Sequence, residues 1–147
     1  MKNYDPVQIL IVEDNPNDAE LTLRALKKHN LANEVYIAED GEEAIDFIFA
    51  QGKFASRSKA KPLKVIFLDL KLPKISGLEV LEKIKSDPST KKLPVVIITS
   101  SKEDPDIKAA YALGTNGYVV KPVDFNDFVK VMQNTGLFWL LVNEAPK

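Results

Sequence analysis

Five side chains stand where apolar runs end and charge or polarity begins. Glu13 and Asp14 close the run 7–12, and Asp69 follows the sequence VIFL at 65–68. Thr99 ends the run 94–99, and Lys121 follows GYVV at 117–120. An ionised group at the end of a buried strand is costly unless something compensates its charge. If the chain brings these five together, three carboxylates meet a hydroxyl and an ammonium. Carboxylates packed side by side repel one another unless a cation joins them. Mg²⁺ suits such a set, with Mn²⁺ as its substitute, because hard cations prefer oxygen ligands and keep waters and phosphate oxygens in their shell. The chain has no cysteine and one histidine, so a zinc-type site is a poor fit. Lys121 would supply a second positive charge, and Thr99 a donor that can move. Such a set suits Asp69 as the acceptor of a phosphoryl group. That reaction needs mainly positioning and charge stabilisation, and a carboxylate nucleophile giving an acyl phosphate is established chemistry.

The elements that would position these residues follow from pattern. Strands are expected at 7–12, 34–38, 64–69, 94–99 and 117–120. Most are continuous apolar, β-branched runs, as in strands buried on both faces of a parallel sheet. Each is followed by a helix-start signal. Asn15-Pro16-Asn17-Asp18 offers a capping Asn, an early Pro and a first-turn acid. Asp40…Glu43, Ser76…Glu79 and Asp124…Asp127 carry the spacing of a capping box or its relative, and Asp104-Pro105-Asp106 opens the fourth helix. The helices are predicted at 17–28, 42–50, 77–85, 106–113 and 125–141. Five βα units in a row predict an α/β flavodoxin-like (βα)5 doubly wound sheet, its five parallel strands in the order 2-1-3-4-5 with helices on both faces. Ligands of such sheets bind at the carboxyl ends of the strands, where the five side chains lie. Glu39 and Asp40, after the edge strand, read as helix-start chemistry.

Bulk properties narrow the class. At 147 residues, 45% hydrophobic and 28% charged, the chain suits one domain, 1–147, with a core over about 6–142. Twenty basic residues nearly balance 21 acidic ones, for a net charge of -1, which argues against general nucleic-acid or membrane-surface binding. No signal peptide or membrane span is evident, so a cytoplasmic location is expected. No GxxxxGK[ST] or GxGxxG loop argues for nucleotide binding.

Four motifs occur in order: LIVEDNP (10–16), VIFLDLKLPKISG (65–77), PVVIITSS (94–101) and GTNGYVVKPVD (114–124). Together they resemble the receiver domains of two-component response regulators over nearly the whole chain. The resemblance implies that Glu13 and Asp14 are the acidic pair holding Mg²⁺, and that Asp69 is both phosphoacceptor and metal ligand. Lys71 matches the position whose backbone carbonyl contacts the metal. Thr99 and Lys121 match the switch hydroxyl and the phosphate-binding lysine, and Tyr118 the aromatic that swings inward with the hydroxyl. Lys121-Pro122 matches a peptide bond that is usually cis in the family. Glu13 stands where many receivers have Asp, a longer side chain that still reaches a metal. The segments YVVKPVDF (118–125) and GLFWLLVNEAP (136–146), and the extension before strand 3, resemble single-domain regulators paired with bacterial and cyanobacterial phytochrome-type histidine kinases.

On this resemblance the chain is a phosphorylation-activated switch without an effector domain. It takes a phosphoryl group from a sensor histidine kinase of phytochrome type and catalyses its own phosphotransfer and dephosphorylation. Output would come through contacts with a downstream protein, or by handing the phosphoryl group to a phosphotransfer protein. Two other readings were weighed. A Mg²⁺-dependent aspartyl phosphatase usually wants a general acid two residues after the nucleophile, where this chain has Lys71. A binding module with a vestigial site is disfavoured by the intact acid–Thr–Lys set.

Plainer roles stand beside these. Asp69 could cap a turn, the acids 13 and 14 could serve a helix dipole, Thr99 could be a strand residue, and Lys121 a solvated strand end. Tyr118 could be an edge aromatic with its hydroxyl in water. His29, near a helix C-terminus, reads as a surface group. The basic segment 51–62 reads first as a solvated loop, long for its place. The run LFWLLV at 137–142 exceeds what one core-facing stripe requires. Part of the run must face another subunit, the kinase, or the sheet through an irregular turn at Gly136, and Phe138, Trp139 and Leu140 are expected to form a homodimer or partner surface.

Overall fold

The computed structural model describes residues 3–31, 34–58 and 62–142. Strands β1 (Ile9–Val12), β2 (Val35–Ala38), β3 (Val65–Leu68), β4 (Val95–Thr99) and β5 (Gly117–Val120) form one parallel sheet in the order β2-β1-β3-β4-β5. The predicted topology is the observed one. Its continuous apolar runs have a simple cause. Successive side chains of a strand point to opposite faces, and here both faces are covered. Leu10, Val12, Ile66, Leu68, Val95 and Ile97 point into one core with α2 (Gly41–Ile48), α3 (Gly77–Ser86) and α4 (Asp104–Leu113). Their neighbours Ile9, Ile11, Val65, Phe67, Val96 and Ile98 point into the other, with α1 (Pro16–Lys28), α5 (Phe125–Asn134) and α6 (Leu137–Leu141).

The start signals act as written. The Asn15 side chain accepts from the backbone N–H groups of Asn17 and Asp18, Asp40 and Ser76 each accept from the N–H three residues on, and Asp124 accepts from Asn126 and Asp127. Helix α4 begins two residues before its predicted start, at Asp104. Gly77 is required by a close approach: a Cβ there would overlap the Asp69 carbonyl and the Leu70 backbone, so only glycine lets α3 start against the turn that carries Asp69.

Three expectations need correction. The fifth helix does not run through 125–141. It stops at Asn134, Gly136 takes a left-handed φ of 78°, and α6 restarts at Leu137. The break turns Leu137 and Leu141 back into the core, which one straight helix would not do for the whole run. The segment 51–62 is not simply solvated. Among its described residues, Gly52–Phe54 forms a 3-10 turn, and Phe54 and Arg57 are buried. Phe54 packs edge-on against Tyr4, Tyr36 and Phe47, in an aromatic cluster that closes the β2 edge. His29 is half-buried, with Nε2 3.0 Å from the Phe125 carbonyl, so it ties the end of α1 to the start of α5.

Candidate functional site

Backbone pairing carries the site residues together beyond the strand ends. Glu13 N donates to the Ala38 carbonyl (2.9 Å), Asp69 N to Val12 (3.1 Å) and Lys121 N to Thr99 (2.8 Å). Pairing thus aligns the carboxyl ends of all five strands along one edge of the sheet, and four of them carry site residues. The Lys121–Pro122 bond is cis, as the resemblance implied. Lys121 Nζ lies 2.5 Å from Glu13 Oε1, 2.7 Å from Asp69 Oδ2 and 2.9 Å from Asp18 Oδ2. Glu13 and Asp69 are each 5% exposed, while Asp14 is exposed. Glu13, Asp14 and Asp69 each offer a carboxylate oxygen, all within 4.8 Å of one another.

The electrostatics follow from burial. Desolvation pushes the Glu13 carboxyl up to about 7, against the pull of Lys121 and the Asn15 N–H, with the Asp69 charge adding to the rise. Burial works against the Lys121 charge too, but the hydrogen bonds it donates to Asp69, Glu13 and Asp18 outweigh it and hold the pKa of the ammonium above its ordinary value. One ammonium thus answers several carboxylates, and the excess negative charge leaves demand for a second cation. The donors are all oxygen, two buried and one open to solvent, which fits a hard divalent ion of the Mg²⁺ or Mn²⁺ kind.

The other expected residues fall around this centre. Lys71 N donates to Asp69 Oδ1 (3.1 Å), a tight turn that places the Lys71 backbone beside the carboxylates. Thr99 is fully buried, and its Oγ1 accepts from Ser101 N at 3.4 Å. Tyr118 does not hold its hydroxyl in water: it is half-buried and donates to the Ser101 carbonyl at 2.8 Å. Burial first, then the nearby Asp106 and Asp69 charges, raise its phenol above the usual value, despite the bond to Ser101. The apolar run 137–142 is split between core and surface: Leu137 and Leu141 are buried with α5. Trp139 and Leu140 are 78% and 43% exposed, but Phe138 is half-buried against the core, with its ring edge to Trp139.

One site member was missed, and Ser101, which follows Thr99 at the flank of the site, takes part in it. Asp18 reads in sequence as a first-turn acid, yet it holds Lys121. It lies in the first turn of α1, whereas Asp14 precedes the Asn15 cap, so no helical spacing pairs the two acids. Ser101 accepts from Tyr118 and donates its own hydroxyl to Asp106 Oδ2 (2.5 Å), linking β4 to α4.

A parallel 2-1-3-4-5 sheet with an acid cluster, a hydroxyl and a lysine at its carboxyl edge defines a receiver domain. The family model for the response regulator receiver domain matches residues 9–133, and the chain belongs to that family of phosphorylation-activated signalling proteins. Among curated proteins it is 38% identical to response regulator Rcp1 of Synechocystis sp., over 92% of this chain and 90% of that one. Among solved structures it resembles the bacteriophytochrome response regulator RtBRR (48% identity, TM-score 0.83, covering 94% of this chain and 82% of that one). It also resembles the Mn²⁺-bound form of Rcp1 (37% identity, TM-score 0.76, covering 95% and 98%). No helix among the described residues is long and apolar enough to cross a membrane.

Proposed function

We propose that Asp69 takes the phosphoryl group from the phosphohistidine of a phytochrome-type sensor kinase. One observation carries this reading: Lys121 joins Asp69 to Glu13 at the edge where β1, β3, β4 and β5 end. A carboxylate oxygen of Asp69 attacks phosphorus, the P–N bond breaks, and its electron pair returns to the kinase imidazole. Lys121 would leave Asp69 for an equatorial phosphoryl oxygen, and Thr99 Oγ1 would donate to another. Mg²⁺ or Mn²⁺, held by Glu13, Asp14, Asp69 and the Lys71 carbonyl, would supply the remaining charge neutralisation. The Mn²⁺-bound form of the relative Rcp1 supports that choice of ion.

The readout runs through Tyr118. Its bond to the Ser101 carbonyl, together with the Ser101–Asp106 bond, links the Thr99 region to the start of α4. Movement of Thr99 toward a phosphoryl group biases that linkage and changes the α4–β5 surface seen by a downstream protein. The chain acts as a switch rather than an enzyme with turnover on external substrates. The receiver domain accounts for nearly all of the chain, which covers relatives such as Rcp1 almost end to end. A cytoplasmic location suits a partner of a kinase.

A second copy of the chain is the expected occupant of the Trp139–Leu140 face, where two large apolar side chains stand exposed side by side. Sedimentation tests it: Trp139→Ala should shift the population to monomer, and an unchanged dimer would place the interface elsewhere. The main reading is tested with acetyl phosphate and Mg²⁺, following the mass gained by the intact chain. One phosphoryl group is expected on the wild type and none on Asp69→Asn. Equal labelling of both would sink it.

A further inference from the structure

The Lys121 ammonium stands where a divalent ion would have to compete with it. Each buried acid of the site has both carboxylate oxygens engaged. Glu13 Oε1 lies 2.5 Å from Lys121 Nζ, and Glu13 Oε2 accepts from the Asn15 N–H at 3.2 Å. Asp69 Oδ2 accepts from Lys121 Nζ at 2.7 Å, and Asp69 Oδ1 from the Lys71 N–H at 3.1 Å. The Asn15 and Lys71 donors belong to the backbone and are fixed by its turns. Lys121 is the donor that can withdraw, because its ammonium rides on a flexible stem. Two cations on one carboxylate oxygen repel, so Lys121 must yield any oxygen that a divalent ion is to take.

A third carboxylate gives the ammonium a place to remain. Asp18 Oδ2 lies 2.9 Å from Lys121 Nζ. Asp18 stands outside the acids that converge on one point, which are Glu13, Asp14 and Asp69. Its position is set independently of them, since Asn15 Oδ1 accepts from the Asp18 N–H at 3.1 Å and the cap of α1 thereby fixes the backbone that carries it. Lys121 is anchored likewise, with its own N–H on the Thr99 carbonyl. An ammonium has three N–H donors, and here each meets a different carboxylate. Once Glu13 and Asp69 are given up, the bond to Asp18 holds the side chain at the site and leaves two donors for phosphoryl oxygens.

We propose that Asp18 is a positioning residue for Lys121: it retains the ammonium when Glu13 and Asp69 turn to a divalent ion, and so favours metal binding and keeps Lys121 beside the phosphoacceptor. This role rests on the metal-assisted transfer to Asp69 proposed above. A first-turn acid that only served the helix dipole would have no such effect. In the metal-free chain Lys121 has two further partners, so the loss of Asp18 tells chiefly when the ion is bound.

Electron paramagnetic resonance of free Mn²⁺, titrated with the full chain, tests it. Asp18→Asn should weaken Mn²⁺ binding about fivefold, and Glu20→Gln, which removes an acid of the same helix that pairs with Arg24, by less than about twofold. In the Lys121→Met background Asp18→Asn should lose its effect, because Asp18 acts through the ammonium. Since Lys121→Met costs stability, a second measurement stands apart from it: the ¹⁵N-labelled Nζ–H signal of Lys121 in excess Mg²⁺. The wild type should keep this signal protected from exchange with water, and Asp18→Asn should lose it. Saturating Mg²⁺ offsets the weaker affinity by mass action, so Asp69 is still labelled in Asp18→Asn. Equal weakening by Asp18→Asn and Glu20→Gln, an undiminished effect in Lys121→Met, or an Nζ signal equally protected in Asp18→Asn overturns the role. Failure of the underlying reading looks different: the wild type would bind no Mn²⁺, or Asp69→Asn would bind it as tightly, and the role would fall with the metal site.

Discussion

Lys121 and Arg57 are two largely buried cations at opposite ends of one sheet, and they are kept in opposite ways. Lys121 is shared among three carboxylates on β1, β3 and α1. Among the described residues Arg57 forms no ion pair, and it leans on two helix-end carbonyls and an aromatic face. The first arrangement has surplus negative charge and calls for another cation; the second keeps its charge with only the more distant Asp5 to answer it. The sheet explains the difference. Strand carboxyl ends gather side chains from several elements at one point, whereas the other end gathers loops and the C-terminal carbonyls of a helix.

The contrast is most sharply tested by removing each cation. Lys121→Met leaves Glu13 and Asp69 buried without a counter-charge, so it should cost about 3 kcal/mol in urea unfolding in Mg²⁺-free buffer. It should also abolish labelling by acetyl phosphate. A loss under about 1 kcal/mol would mean that the two acids share a proton and need no ammonium. Arg57→Met should cost only about 1.5 kcal/mol in the same experiment, because relief of an uncompensated buried charge offsets the lost carbonyl bonds. If it cost more than Lys121→Met, the proposed difference between the two ends would be wrong. Tyr118→Phe removes one bond to the Ser101 carbonyl and should cost about 1 kcal/mol, leaving the rate of Asp69 labelling unchanged. A slower rate would move Tyr118 from readout into the chemistry. Asp18→Asn should have the smallest effect, about 0.5 kcal/mol, since the Asp18 side chain is 32% exposed and Lys121 keeps two partners. Labelling should persist, and its loss would make Asp18 part of the phosphoryl-transfer machinery.

Much of this molecule was legible beforehand. Four-residue apolar runs followed by an Asn, Asp or Ser cap are local signals, and they placed the sheet, its strand order and the five side chains at its edge. Glu13, Asp69, Thr99 and Lys121 were found because each ends a strand, and a parallel sheet must bring those ends together. Asp18 escaped because its partner lies 103 residues away on β5, and nothing in a first-turn acid tells capping from pairing. Arg57 escaped for a related reason: its segment is polar and basic, and burial of an arginine depends on an aromatic floor supplied by α2. The break at Gly136 was legible only as one option for the apolar run, because 125–141 reads as one helix until the core must accept both Phe128 and Leu141.

What the sequence by itself determined is therefore the set of elements and the residues at their ends, because hydrophobic period and capping are short-range properties of the chain. Tertiary structure alone decided which charges meet. A carboxylate or guanidinium takes its meaning from desolvation and from partners tens of residues away, and both exist only once the helices have closed over the sheet.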